Sequence, residues 1–264
     1  MIKKYFFNCA LLVLGMFCFS DCHSKTMHQP SDSTVKFNYV NLAENLLYNV
    51  RTNEPYHEML DALQSADEPV LLLQLNTDDK RKAFWLNIYN AFIQLKLKVA
   101  PEQYKDRNSF FAKDLITIAG HNLSFDDIEN GILRHSKIKI SMGYLGKIFV
   151  GDFEKKFRVD TLDNRVHFAL NCGAKSCPPI AYYSADKIDT QLNLAASSYL
   201  LNECKLEGNN VLVPKTLSWF SGDFGGKTGV IALLKKYKVI PAAMQPDIKY
   251  LDYNWQLTLG SFED

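Results

Sequence analysis

Apolar residues recur at intervals of three and four along much of the chain, which is the spacing of one buried face of an α-helix. Between residues 36 and 66 this spacing predicts two short helices, separated at Pro55. A longer helix is predicted over residues 83–99, where apolar positions cover more than one side and therefore indicate burial. Asn87 and Asn90 lie within it, and we expect their amides to hydrogen-bond neighbouring backbone because a buried amide needs partners.

Other segments alternate between apolar and polar residues, which is the period of a β-strand. The predicted strands cover residues 115–124 (with a tight turn), 165–171, 211–214 and 248–259. Ser124 and Asp127 have the spacing of a capping box and predict a helix over residues 125–134. Two further helices are predicted over residues 184–202 and 230–237. This mixture predicts an α+β fold: one helix-rich domain in which the long buried helix packs on a small, mainly antiparallel sheet.

The N-terminus has the layout of a secretory signal peptide. Lys3 and Lys4 precede an apolar run that is too short to span a membrane. The stretch 19–22 (Phe-Ser-Asp-Cys) resembles a bacterial lipobox, so we expect residues 1–21 to be removed and Cys22 to be lipidated. The alternative is an ordinary signal peptide that leaves Cys22 as a free residue. Both interpretations predict an exported protein.

The rest of the domain organisation follows from this N-terminus. Residues 22–35 are polar and predict a flexible tether, and residues 36–264 hold a single globular domain. The expected location is the periplasm or the cell surface, with the membrane as a partner through the N-terminal lipid. The net charge is +1 and no long basic run occurs, so we expect no binding to nucleic acid. With 47% hydrophobic residues, the chain can bury a sizeable core.

Reactive groups are densest in the stretch 167–179, which contains an imidazole, a carboxamide and two thiols. On the predicted strand, His167 and Asn171 would face the same way. Gly173 permits a sharp turn after the strand. A helix that begins at the prolines would place Cys177 near its N-terminus, where exposed N–H groups lower the pKa of a thiol.

Four blocks of sequence occur in the order of a known family: residues 84–91 (FWLNIYNA), 123–134 (LSFDDIENGILR), 167–179 (HFALNCGAKSCPP) and 219–224 (WFSGDF). Together they resemble domain-of-unknown-function family 547, over roughly Asp79–Phe224. The resemblance implies an exported bacterial protein, since the family occurs in such proteins and, joined to leucine-zipper segments, in plants. It implies no particular activity, because none is firmly established for the family.

Three interpretations of Cys172 and Cys177 stay open at the level of sequence. In the first they form a disulfide, and the protein is a non-catalytic binding or scaffold module of the cell envelope. In the second, one thiol is a nucleophile with His167 as its base, as in cysteine hydrolases and acyl transferases. Replacing His167 by alanine should then slow thiol alkylation near neutral pH. In the third, His167 and both thiols bind zinc, although the usual Cys-x-x-Cys hook is absent.

For the thiol enzyme, the group that orients the imidazole would be Asn171, Glu129 or Asp223. Glu129 has a plainer alternative as one half of a salt bridge with a nearby arginine. The predicted helix start favours Cys177 slightly over Cys172 as the nucleophile.

A groove for a peptide or glycan of the envelope is suggested by four aromatic residues, Tyr182, Tyr183, Trp219 and Phe220. The sequence contains no Gly-x-Ser-x-Gly elbow, no dinucleotide or phosphate loop and no His-Glu-x-x-His motif. We therefore expect no cofactor and no metal, and the two functions that the sequence favours are a Cys–His hydrolase or acyl-transfer site and a non-catalytic binding module.

Overall fold

The computed structural model describes residues 37–263, so the predicted signal peptide, Cys22 and the tether lie outside the described residues. The α-helices, in chain order, are α1 (Tyr39–Thr52), α2 (His57–Gln64), α3 (Glu68–Gln74), α4 (Asp78–Val99), α5 (Arg107–Ala112), α6 (Asp152–Phe157), α7 (Ile188–Glu203), α8 (Thr216–Trp219) and α9 (Gly226–Lys236). The strands are β1 (Ile116–Ile118), β2 (His121–Leu123), β3 (Lys205–Glu207), β4 (Asn210–Val213) and β5 (Asp247–Tyr250). A π-helix spans Asp127–Leu133, and 3₁₀ turns span Pro101–Asp106, Lys139–Ser141 and Asn164–Phe168. The fold is a single α+β domain, as predicted.

Helix α4 lies at the centre of the domain and packs chiefly against α1. It begins where the Thr77 hydroxyl accepts a hydrogen bond from the backbone N–H of Lys80, with two aspartates in its first turn. It ends before Pro101, which cannot continue a helix. Every residue from Lys82 to Leu95 is buried, so other elements cover the helix on all sides.

Two asparagines of α4 clamp the backbone of distant segments. The side-chain amide of Asn87 donates to the carbonyl of Tyr183 at 2.7 Å and accepts from its N–H at 3.0 Å. Asn90 donates to the carbonyl of Ala169 at 3.0 Å and accepts from the N–H of Asn171 at 2.9 Å. Both amides are fully buried and satisfied, so they serve as scaffolding, as predicted.

The strands form two small sheets where one was expected. Strands β1 and β2 make an antiparallel hairpin. The second sheet has the order β3-β4-β5, with β3 antiparallel and β5 parallel to β4. The main partners of α4 are other helices and turns instead of a sheet. None of the helices in the described part of the chain has the length and apolarity needed to cross a membrane.

The strand predicted over residues 165–171 is wrong. A 3₁₀ turn covers Asn164–Phe168, and it begins at Asp163, whose carboxylate accepts from the backbone N–H of Arg165 at 3.1 Å. Every residue from Val166 through Asn171 is buried, so the apolar alternation does not mark one covered and one open face. The strand face that the imidazole and the carboxamide were predicted to share does not exist.

The helix predicted over residues 125–134 is wound as a π-helix through most of its length. The predicted capping box is present: the N–H of Ser124 donates to the Asp127 carboxylate at 2.9 Å, and the N–H of Asp127 donates to the Ser124 hydroxyl at 3.0 Å. A π-helix joins residues five apart in the chain, and here the N–H of Arg134 donates to the carbonyl of Glu129 at 3.0 Å. Such π segments are frequent at functional sites.

Candidate functional site

The two candidate thiols lie on a short loop that the carboxamide of Asn171 closes. Its Nδ2 donates to the carbonyl of Pro178 at 2.8 Å, and its Oδ1 accepts from the N–H of Gly173 at 2.9 Å. Gly173 has a φ of +86°, so this glycine makes the sharp turn that the sequence predicts. Asn171 therefore holds the thiol loop together and does not orient the imidazole of His167.

Cys172 and Cys177 are free thiols that lie side by side on this loop. The backbone N–H of Cys172 donates to the sulfur of Cys177 at 3.0 Å. The hydroxyl of Tyr253 contacts both sulfurs, at 3.4 Å from Cys172 and 3.2 Å from Cys177. Among the described residues neither thiol hydrogen-bonds His167, which differs from the direct base–thiol pair expected from the sequence.

These contacts shift the pKa values of the two thiols in opposite directions. A hydrogen bond from Cys177 and a second from Tyr253 lower the pKa of Cys172, although burial acts in the opposite direction. Burial raises the pKa of Cys177 well above its ordinary value, and the neighbouring sulfur raises it further. These opposite shifts favour ionisation at Cys172 over Cys177. This reverses the slight preference for Cys177, since no helix begins at Pro178 to supply the expected N–H groups.

The C-terminal segment brings Tyr253 to the thiols, beyond the end of β5, where a longer strand was predicted. Its neighbour Asn254 donates from its backbone N–H to the Ser176 hydroxyl at 2.9 Å, which ties this segment to the thiol loop. The Tyr253 ring packs against both Trp219 and Trp255, with centroids 4.8 and 4.5 Å away. Tyr253 was not predicted as part of the site, because the contact joins segments far apart in the chain and leaves no local pattern.

His167 is buried and bonded to Asp223, one of the three groups suggested to orient it. Its Nε2 lies 2.8 Å from the Asp223 carboxylate, and its ring stacks on Phe220 with the centroids 4.0 Å apart. Arg134 has no exposed surface and donates to the same carboxylate oxygen at 2.6 Å. Its guanidinium also donates to the side chain of Asn130. Arg134 is a second residue of the site that was not predicted from the sequence.

This network sets the protonation states of its members. Burial opposes ionisation of Asp223, but hydrogen bonds from His167 and Arg134 leave the pKa of its carboxyl below the ordinary value. Burial lowers the pKa of His167 and outweighs the carboxylate, so the imidazole is neutral near pH 7. We assign its proton to Nε2, which faces the carboxylate, and this leaves Nδ1 as an acceptor.

Glu129 lies on the π-helix and accepts a hydrogen bond from the Tyr89 hydroxyl at 3.4 Å. It bonds neither His167 nor Arg134, and Arg165 pairs elsewhere in the domain. Both the orienting role and the salt bridge considered for Glu129 are therefore absent. Burial raises the pKa of this carboxyl, which favours its protonated form relative to an exposed glutamate.

One cavity of about 620 Å³ joins these groups, a volume within the range of about 300–1,000 Å³ typical of ligand sites. The side chains that line it include Glu129, His167, Cys172, Cys177 and Tyr253. Of the aromatic residues suggested for a groove, Trp219 and Phe220 also line it, whereas Tyr183 is fully buried and Tyr182 packs against Phe262.

The zinc interpretation and the third free thiol, Cys204, remain to be placed. Within residues 37–263, no cluster of three or more His, Cys, Asp or Glu side chains could hold a metal ion, so the zinc interpretation has no set of ligands there. Cys204, at the end of α7, does not line the cavity. Burial raises the pKa of its thiol to about 12.

Comparison with known proteins identifies a family and no close relative of known structure. No curated protein and no solved structure matches the chain. The family model described as "Protein of unknown function, DUF547" matches residues 72–200. This range contains α4, the π-helix and the thiol loop, whereas Asp223 and Tyr253 lie beyond it. Residues 72–200 therefore form a segment of the DUF547 family of proteins of unknown function.

Proposed function

We propose that this protein is a thiol-dependent hydrolase or acyl transferase in which Cys172 is the nucleophile. The observation that carries the proposal is the pair of donors, Cys177 and Tyr253, at the sulfur of Cys172 inside a cavity that also holds a neutral imidazole. The thiolate is the reactive form of cysteine, and these donors increase its fraction near neutral pH.

In the proposed reaction, the thiolate of Cys172 attacks the carbonyl carbon of a bound ester, thioester or amide. A carbon–sulfur bond forms, and the leaving group takes a proton from the neutral carboxyl of Glu129 as it departs. The Tyr253 hydroxyl is placed to donate to the oxyanion that develops next to the sulfur. The product of this half-reaction is a thioester on Cys172.

The second half-reaction uses the imidazole of His167. Its Nδ1 accepts the proton of an incoming water or acceptor group, whose oxygen or nitrogen attacks the thioester and releases the thiolate. Asp223 stabilises the imidazolium that forms, and Arg134 holds Asp223 in place. The imidazolium then loses its proton to solvent and the Glu129 carboxylate takes one up, which restores both groups for the next turnover. In this scheme His167 acts on the acceptor, because the thiol itself is activated by its own neighbours.

The test uses the full chain and p-nitrophenyl acetate as an acyl donor. We expect a burst of p-nitrophenolate and an acetyl group on Cys172, located by peptide mapping. Cys172→Ala should abolish the burst, whereas His167→Ala should keep the burst and slow the turnover that follows. Acetylation that is confined to surface lysines, with the same time course in Cys172→Ala, would contradict the proposal.

The two activating roles can be separated by alkylation with iodoacetamide. Since the hydroxyl of Tyr253 contacts the thiols and His167 does not, Tyr253→Phe should slow labelling of Cys172 near neutral pH, and His167→Ala should leave the rate unchanged. The opposite ranking would restore His167 as the base for the thiol.

The second candidate function is a non-catalytic envelope module with a Cys172–Cys177 disulfide. It is favoured by one observation: both sulfurs contact the same Tyr253 hydroxyl, so oxidation would require little movement. Intact mass of protein isolated from its native compartment, with and without reduction before alkylation, decides between the two. A Cys172–Cys177 link in the isolated protein would remove the nucleophile and support the module.

We further propose that the protein is exported and anchored by a lipid on Cys22. The support is the layout of the N-terminal sequence, with two lysines, an apolar run and a cysteine after residue 21. The mass of the N-terminal peptide from the membrane fraction should show a lipidated Cys22, and Cys22→Ala should release the protein to the soluble fraction. An intact Met1 in the cytoplasmic fraction would contradict export.

A further inference from the structure

Arg107 is a charged residue of the cavity to which the reaction above gives no role. It begins α5, directly after a 3₁₀ turn, and its side chain lines the cavity. Its guanidinium lies 4.6 Å from the ring centroid of Trp255 and 5.7 Å from that of Tyr104. In the part of the chain that the structure describes, its N–H groups have no hydrogen-bond acceptor and no carboxylate partner.

The other ionisable groups of the lining are compensated or neutral. Lys139 forms an ion pair with Asp126 at 2.8 Å. Burial raises the pKa of Glu129 and lowers that of His167, which favours the uncharged form of each. The guanidinium of Arg107 is therefore the uncompensated positive charge in the described lining, which also includes the thiol of Cys172.

We infer that the cavity accepts acyl compounds that carry a carboxylate, and that Arg107 binds this carboxylate. A guanidinium matches a carboxylate with two parallel N–H···O bonds, which fixes orientation as well as charge. Stacking on Trp255 and Tyr104 holds the plane of the guanidinium in place while its N–H edges stay available. The substrate class is then an acidic acyl donor, such as a dicarboxylic half-ester or an acidic peptide segment.

The aromatic residues next to Arg107 complete the site for such a compound. Trp219, Tyr253 and Trp255 pack as a cluster, and all three line the cavity. Their rings offer an apolar wall for the carbon chain between the carboxylate and the reacting carbonyl. Since Tyr253 contacts the thiols and Trp255 contacts Arg107, this wall runs from the reactive group to the recognition group. The inference rests on the proposed function, because it names the substrate of that site.

The experiment compares two alkylating reagents of nearly equal shape, iodoacetate and iodoacetamide. Rates at Cys172 are measured by peptide mapping on the reduced full chain, folded and urea-unfolded. We expect the iodoacetate-to-iodoacetamide rate ratio to be higher in the folded protein by about tenfold, which corresponds to roughly 1.4 kcal/mol of charge-assisted binding. Arg107→Gln should return the ratio to its unfolded value.

Arg51→Gln is the matched control, since Arg51 also stacks on two aromatic rings, Tyr182 and Phe262, but does not line the cavity. It should leave the ratio unchanged. An equal ratio in folded and unfolded protein, or the same ratio in Arg107→Gln as in the wild type, would overturn the inference. A folded rate with iodoacetamide no faster than the unfolded rate would instead count against Cys172 as an activated nucleophile, which is a separate result.

Binding can also be followed without the thiol. Titration with succinate, observed through the indole N–H resonance of Trp255, should shift that resonance in the wild type and not in Arg107→Gln, and the neutral analogue succinamide should have no effect. A Trp255 resonance that succinate leaves unmoved would overturn the inference even if Cys172 reacts with neither reagent.

Discussion

Asn90→Leu tests how the central helix positions the reactive loop. Asn90 binds the carbonyl of Ala169 and the N–H of Asn171, the residue directly before Cys172. Leucine fills a similar volume but makes no hydrogen bond, so both backbone groups lose their partner. Ala169 and Asn171 are 0% and 1% exposed, so water cannot replace the lost bonds without a local opening.

The size of the effect follows from these two groups. A buried polar group without a partner costs about 1–3 kcal/mol, so the free energy of unfolding should fall by about 2–6 kcal/mol. The added apolar surface of leucine offsets part of this loss, at about 25 cal/mol per Å² buried. The free energy of unfolding is measured by urea denaturation, and the state of the loop by the iodoacetamide rate at Cys172 under native conditions.

Asn87→Leu is the matched control, because Asn87 makes the same two bonds from the same helix, to Tyr183, which does not line the cavity. Both variants should lose similar stability, but only Asn90→Leu should change the alkylation rate of Cys172. If both variants are destabilised equally and alkylate at the wild-type rate, Asn90 does not position the thiol loop and the reasoning fails.

Three further predictions concern the charged and buried groups. Arg134→Met should lower the free energy of unfolding by about 3–5 kcal/mol in urea denaturation, because it leaves the buried Asp223 carboxylate without its cation; a loss below about 1 kcal/mol would contradict this. Burial lowers the pKa of His167, so the unfolded chain binds a proton at higher pH than the folded one. Stability should therefore fall as the pH drops below the ordinary value of 6.5, and His167→Gln should flatten this part of the profile; a parallel profile would refute it. Cys204, whose pKa is raised to about 12, should stay unlabelled by iodoacetamide at pH 8 in the folded protein and react in urea, and rapid native labelling would contradict its burial.

Elements that depend on neighbouring residues in the chain were predicted best. The long helix α4 and the capping box of Ser124 and Asp127 follow from spacing, capping groups and prolines, all of which act within a few residues. The strand over residues 165–171 failed because both of its supposed faces are buried, so alternation carried no information about a sheet. The last strand was predicted over residues 248–259, but β5 ends at Tyr250. The residues after it form no strand, and Asn254 among them hydrogen-bonds the thiol loop.

Only some residues of the site could be predicted from the sequence. His167, Cys172 and Cys177 stand out because they are reactive and close together in the chain, and all three line the cavity. Their partners were harder to assign: the sequence offered three candidates to orient the imidazole, and the structure places Asp223 there. Tyr253 contacts the thiols from a segment about eighty residues further along the chain, a distance that no local spacing rule bridges.

The sequence by itself determined the family, the α+β class, the central buried helix and the stretch in which the reactive groups concentrate. These properties rest on local periodicity, capping and residue chemistry, which are written within short windows of the chain. Only the tertiary structure decided that the imidazole contacts Asp223 while both thiols contact Tyr253, and that these surroundings shift the pKa values of Cys172 and Cys177 in opposite directions. The physical reason is that burial and hydrogen-bond partners, which set pKa values and orientation, come from side chains that long-range packing brings together.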